Sequence, residues 1–177
     1  MALRKIVVQG EDCLNKTCRP VTDFNRRLHI LMDDLVETLA EAGGAGLAAP
    51  QVGILRRACV VMDEETEGYI ELVNPEIVAR SGEQTGPEGC LSVPGKWGLV
   101  TRPSYVRVKA QDRDGRWFEI EGEGLMARCF CHELEHLEGH LFVERTDGEL
   151  YTMEELDAME AEQTEARRPR RKRRKRA

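Results

Sequence analysis

Three residues near the C-terminal end of the chain share one register: His132, Glu133 and His136, within Cys131-His132-Glu133-Leu134-Glu135-His136-Leu137. On an α-helix, positions i and i+4 lie one above the other on the same face, so two imidazoles spaced this way can reach a single metal ion. The glutamate beside the first histidine falls near that ion but outside its coordination, where it can act as general base for a water on the metal. The competing interpretation is a solvated helix face, rich in Glu and His, that carries no metal.

A hydrolytic metal site needs three protein ligands and one open position, so a third donor must exist. The extended pattern H-E-x-x-H-x-x-G-x-x-H of one metalloprotease group holds here through Gly139, but its last position is Phe142 and His140 comes two residues early. A carboxylate on a following helix would have to be Glu154, Glu155 or Glu160, in a segment where Glu is too common to carry weight. Cys90, beside Gly89, is the remaining candidate, since a metal would hold its thiol as thiolate. A buried core cysteine explains Cys90 equally well, and spacing alone does not decide.

Several elements must position these groups. Residues 1–22 read as an irregular arm with Pro20 near its end, and Thr22-Asp23 offers a helix N-cap. Leu28, Leu31, Met32, Leu35 and Leu39 recur at three- and four-residue steps, which predicts an amphipathic helix over 25–42, ended by Gly43-Gly44. His29 lies just off this stripe and reads as a boundary residue. Small residues fill 44–53, where another chain can approach the backbone closely. Short strands are expected at 58–62, 69–73 and 77–79, with a turn at Asn74-Pro75. Residues 81–104 read as loop-rich, 105–110 and 117–121 as a hairpin, 124–138 as the metal helix and 153–166 as a last helix.

The chain has 177 residues, enough for one domain or one domain and a tail. No run of about 18 apolar residues is present, and the N-terminus lacks a secretory pattern, so the expected location is the cytoplasm. The six cysteines, Cys13, Cys18, Cys59, Cys90, Cys129 and Cys131, then read as free thiols or metal ligands rather than disulfides. The net charge of −6 hides an asymmetry: residues 167–176 hold nine of the 26 basic residues and no acid, against 17 basic and 32 acidic residues in the rest. Such a block could touch RNA, a ribosome surface or anionic lipid, or simply serve as a solubilising tail.

Three segments, in order, carry a resemblance to bacterial peptide deformylase: Gly44-Ala45-Gly46-Leu47-Ala48-Ala49-Pro50-Gln51, Glu88-Gly89-Cys90-Leu91-Ser92, and His132-Glu133-Leu134-Glu135-His136. The family's motifs read GxGxAAxQ, EGCLS and HExxH. The resemblance spans roughly residues 1–150 and implies an α+β fold. Mixed or antiparallel sheets would pack around a central helix carrying HExxH, followed by a C-terminal helix and the basic tail. The catalytic domain would be 1–166 and the tail 167–177.

The implied activity is removal of the formyl group from the N-terminal formylmethionine of newly synthesised polypeptides, releasing formate. The implied metal ligands are Cys90, His132 and His136, holding one divalent ion, Fe(II) foremost and Zn, Ni or Co as substitutes. Glu133 would carry the proton, and the Gln51 side chain and Leu91 backbone N–H would donate to the oxyanion. Ala45, Gly46 and Gly89 would pair with an extended peptide, and Leu125 and Cys129 would line the methionine pocket, although core packing explains the last two equally. The partners expected are nascent N-formylmethionyl polypeptides, with no membrane and a monomeric enzyme; the basic tail lies outside the resemblance, and its charge alone points it to the ribosome or RNA.

The chain departs from the family in three places. Cys131 stands where Gln is common before HExxH and lacks the amide's hydrogen bonds; Glu135 stands where Asp is common and keeps that acceptor on a longer arm. Arg128 occupies a position often apolar, where it either points away or narrows the substrate range. The readings that compete are a zinc endopeptidase with a ligand downstream of His136, an inactive binding module, and a nucleic-acid binder acting through the tail.

Overall fold

One strand sets the architecture. Ala58, Cys59, Val60 and Val61 are apolar in succession, and successive side chains of a strand point to opposite faces, so both faces need cover. The structure, a computed structural model, describes residues 2–63, 65–146 and 148–167. In it this strand, β2 (Ala58–Asp63), lies second in a five-stranded antiparallel sheet of order β1-β2-β3-β6-β7. Its neighbours are β1 (Gly46–Ala48) and β3 (Gly68–Ser81), and the sheet is completed by β6 (Tyr105–Gln111) and β7 (Trp117–Glu123). A separate two-stranded hairpin pairs β4 (Gln84–Cys90) with β5 (Val93–Arg102).

A helix covers each side of β2. Leu28, Leu31, Met32, Leu35 and Leu39 of α1 (Arg26–Ala42) pack with Ala58 and Val60. Ala127, Phe130, Leu134 and Leu137 of α2 (Gly124–Glu138) pack with Cys59 and Val61 and with Val106 and Val108 of β6. A smaller cluster of Leu14, Val93, Val100, Leu141 and Phe142 joins the hairpin to the segment after α2. The last helix, α3, covers Met153–Arg167. The fold is thus α+β, as expected, with antiparallel sheets and three α-helices among the described residues.

Three local expectations need correction. Helix α1 is capped by Asn25, whose side-chain oxygen accepts from Arg27 N and Leu28 N, and not by Thr22-Asp23. The chain before it is held extended, because Asn74 bonds both Val21 N and Val21 O at 2.8 Å. Asn74-Pro75 is not a turn: β3 runs through it, with a register shift between Val73 and Glu76 and Asn74 at φ +50°. Residues 81–104 are not loop but mostly the β4–β5 hairpin. Glycines and a proline masked its alternation, and Gly89 is required there because the Trp97 ring packs directly across it.

The C-terminal end of α2 is equally constrained. Gly139 has φ +84°, and a Cβ there would lie 2.8 Å from the backbone N of Lys16 in the N-terminal arm. Gly53 has a similar φ of +78° but open space around it. We expect Gly53→Ala to cost about 1–2 kcal/mol through backbone conformation alone, and Gly139→Ala at least about 1 kcal/mol more through the added clash. Urea midpoints at unchanged m would measure this, and equal losses would contradict the close approach of arm and helix end.

Candidate metal centre

Helix α2 and the β4–β5 hairpin meet at the site. His132, Glu133 and His136 are all buried, which removes the solvated-face interpretation. Cys90 ends β4, where a register shift between Gly89 and Cys90 turns the strand toward the helix. Its Sγ lies 3.3 Å from His136 Nε2, and His136 Nε2 lies 3.1 Å from His132 Nε2. Among the described residues, Cys90, His132 and His136 form the one group of three such donors, with ligand atoms within 4.8 Å of one another.

The donor set fits a divalent ion. His132 Nδ1 lies 2.7 Å from a carboxylate oxygen of Glu88, and donating there leaves the lone pair of Nε2 facing the other two donors. Three lone pairs crowded together repel one another unless a cation lies among them. His140 is engaged elsewhere, pairing with Glu144 at 2.8 Å, and Phe142, which breaks the extended motif, stacks on the His132 ring at 6.2 Å. All six cysteines are free thiols. Burial pushes the Cys18 thiol up to about 11 and raises those of Cys59 and Cys131 as well, so these three serve packing.

Two further side chains aim at the same point. Gln51 lies in a 3-10 turn over Ala49–Val52, and its Oε1 accepts from Ala48 N at 2.8 Å. That bond turns Nε2 toward the donors, 3.2 Å from Ser92 Oγ and 3.5 Å from Cys90 Sγ. The arm helps to seat this segment, since Val7 N donates to Gln51 O and Gln9 N to Ser92 O. Glu133 packs against Gly46, where a Cβ would collide with the carboxylate. Its Oε2 is buried without a partner among the described residues. Burial pushes the Glu133 carboxyl up to about 7; the neighbouring His132 opposes this and the Glu88 charge adds to it.

The role of Glu88 was not legible in the sequence. Burial disfavours its charge, yet hydrogen bonds from His132 and Arg102 outweigh burial and hold the carboxyl down at about 2. Arg102 grips it bidentately at 2.6 and 3.2 Å, and Arg128 Nη1 adds a third contact at 3.0 Å. Glu135, expected to support a histidine, instead binds Arg102 at 2.8 Å and Arg145 at 3.0 Å. Its longer arm carries the carboxylate to the guanidinium. Arg128 neither points to solvent nor stands free in the cleft. Had 84–90 been read as a strand, its period of two would have placed Glu88 beside Cys90.

A cleft of about 570 Å³ opens over these groups. Ala45, Gly46, Gly89, Leu125 and Cys129 all line it, as do Gln51 and Leu91. Leu125 is 51% exposed and so belongs to the rim and not to the core, while Cys129 also packs on the main cluster. On one side runs β1, the edge strand of the main sheet; on the other runs β4, whose sole strand partner among the described residues is β5.

The family model for polypeptide deformylase matches residues 3–150. A peptide deformylase of Lachnoclostridium phytofermentans is 53% identical over 159 residues, 89% of this chain and 97% of that one. The crystal structure of a peptide deformylase from Legionella pneumophila superposes with a TM-score of 0.78 at 41% identity, covering 95% of this chain and 100% of the other. A Met-Ala-Ser bound peptide deformylase structure from Acinetobacter baumannii gives a TM-score of 0.76 at 36% identity, covering 81% and 98%. Matched along most of its length by model, relatives and structures alike, the chain belongs to the polypeptide deformylase family, metal-dependent hydrolases that remove the formyl group from N-formylmethionyl polypeptides.

Proposed function

We propose that the cleft performs the family's hydrolysis with Cys90, His132 and His136 holding one divalent ion, iron(II) in the cell with Zn, Ni or Co able to replace it. The observation that carries this is the convergence of those three donors beside a buried carboxylate, Glu133, that lacks a partner among the described residues. A divalent ion bound there supplies a lowered pKa for its water and positive charge beside the formyl oxygen. Glu133 takes a proton from the attacking water at its free oxygen and returns it to the departing amine. Gln51 Nε2, oriented by the Ala48 bond, and the Leu91 backbone N–H donate to the formyl oxygen as it gains charge.

The peptide enters extended between the two strand edges, pairing with Ala45, Gly46 and Gly89 by strand addition. Its methionine side chain lies against Leu125 and Cys129. The Met-Ala-Ser bound relative supports a methionyl N-terminus as what the cleft receives. Among the described residues no helix is long and apolar enough to cross a membrane. We place the activity in the cytoplasm, where new chains emerge, in a monomer whose catalytic domain is 1–166. The basic tail, 167–177, lies outside the described residues from 168 onward, and we assign it to contact with the ribosome or RNA.

Formate release from a formyl-Met-Ala peptide, by anaerobically prepared Fe(II)-loaded protein, tests the reading. Turnover should fall by about 10²–10⁴-fold in Glu133→Ala with metal content unchanged. No turnover by the loaded parent, or full turnover by the variant, would sink it. Gly46→Ala should lower kcat about tenfold or more by displacing the Glu133 carboxylate, while Co(II) still binds in full; an unchanged kcat would show that Glu133 works from another position. Deleting 167–177 should leave turnover of free formyl peptide within about twofold, and a large loss would place the tail in the catalytic unit.

A further inference from the structure

We propose that Arg128 is a positioning residue of the metal centre, tying the helix that carries His132 and His136 to the hairpin that carries Cys90. The inference rests on the metal-binding reading above. The three donors come from two separate elements, so their spacing depends on what holds α2 against β4 and β5. Arg128 lies one helical turn before His132, on the same face of α2. Its side chain is buried, and a buried guanidinium is tolerated only when its N–H groups find acceptors.

Its acceptors lie on the hairpin: Glu88 Oε2 on β4 and Val100 O on β5, each at 3.0 Å from Nη1. Arg128 and His132 thus hold the two oxygens of one carboxylate, Oε2 and Oε1, from successive turns of the helix. Arg102 holds the same carboxylate but comes from β5, so it braces Glu88 within the hairpin itself. Besides these and the His132 bond, hairpin and helix are tied by Arg102 to Glu135, which is 20% exposed, and by Gln84 Nε2 donating to Gly124 O at 2.7 Å, and both of these ties are wetter. The guanidinium lies against Gly86 of β4, where a Cβ would sit 3.4 Å from Nη2, in ordinary van der Waals contact. Arg128 therefore makes one wall of the cleft a cross-link between the two ligand-bearing elements.

The test uses Co(II) as probe, with affinity read by chelator competition and the thiolate–cobalt band read in the visible and near-ultraviolet. Apo-protein melting follows folding separately. Arg128→Met should bind Co(II) about tenfold or more weakly with an altered band, and Arg128→Lys should regain part of that loss. In a Glu88→Gln background the Arg128→Met effect should shrink, because the carboxylate charge through which Arg128 and His132 are coupled is gone. Affinity within about twofold of the parent with an unchanged band would overturn the proposal, as would an equal loss in the Glu88→Gln background. If Arg128→Met does not fold, Arg128→Lys decides, since a lysine ammonium ends about one bond short of Nη1 and would not keep both contacts at full length, and parental affinity in it would overturn the proposal. A parent that binds no Co(II), or whose band survives Cys90→Ser, would instead overturn the metal reading beneath it.

Discussion

The buried carboxylate of Glu88 is the interaction on which the site depends. It is 5% exposed, and an isolated charge at such depth would be too costly to keep. Two guanidinium groups and an imidazole surround it, each a charge-assisted or strong donor, and together they hold it ionised. The consequence reaches beyond charge. A fixed acceptor at His132 Nδ1 sets the tautomer and ring orientation of that histidine and so aims Nε2 at Cys90 and His136. Removing any one donor would leave the others facing an under-compensated buried charge, which makes the cluster a unit and not a set of independent contacts.

The core makes that unit possible. Because β2 is buried on both faces, α2 is pressed onto the sheet by Ala127, Phe130, Leu134 and Leu137, and its histidines project from the opposite side, where the hairpin lies. Gly139 lets the N-terminal arm pass against the helix end, and the same arm donates to Gln51 O and Ser92 O. Thus the irregular first residues, which carry no chemistry of their own, seat two groups of the cleft. A cleft bounded by two strand edges and floored by a preorganised polar cluster is suited to an extended peptide whose reacting group must be placed within a fraction of an ångström.

Periodicity served the reading well where one period ran uninterrupted. The apolar steps from Leu28 to Leu39 and the i, i+4 histidines gave α1 and α2 within a residue or two, and the alternation of 105–110 gave β6. It failed where local chemistry imitates a turn. Asn74-Pro75 reads as a break, yet the Asn74 side chain stitches the strand to Val21 and to Gln111, and the strand continues through a bulge. Gly86, Pro87 and Gly89 read as loop, yet Gly89 is what lets Trp97 pack over β4, since a Cβ there would lie 2.9 Å from the ring. A residue that hid the hairpin is thus one its packing requires.

By itself the sequence determined the kind of chemistry and most of the elements that carry it, because helical and strand periods are local and a metal-binding spacing on one helix is local too. The family followed from three short motifs. What only the tertiary structure decided is which distant groups meet: that Cys90 and not His140 or a later glutamate joins His132 and His136, that Glu88 is the acceptor behind His132, and that Glu135 turns to Arg102 and Arg145. These pairings cross between β4, β5 and α2, separated by up to 46 residues between Cys90 and His136. No local period encodes such a meeting. It arises because desolvated charges must find partners wherever the packed sheet and helix bring them together.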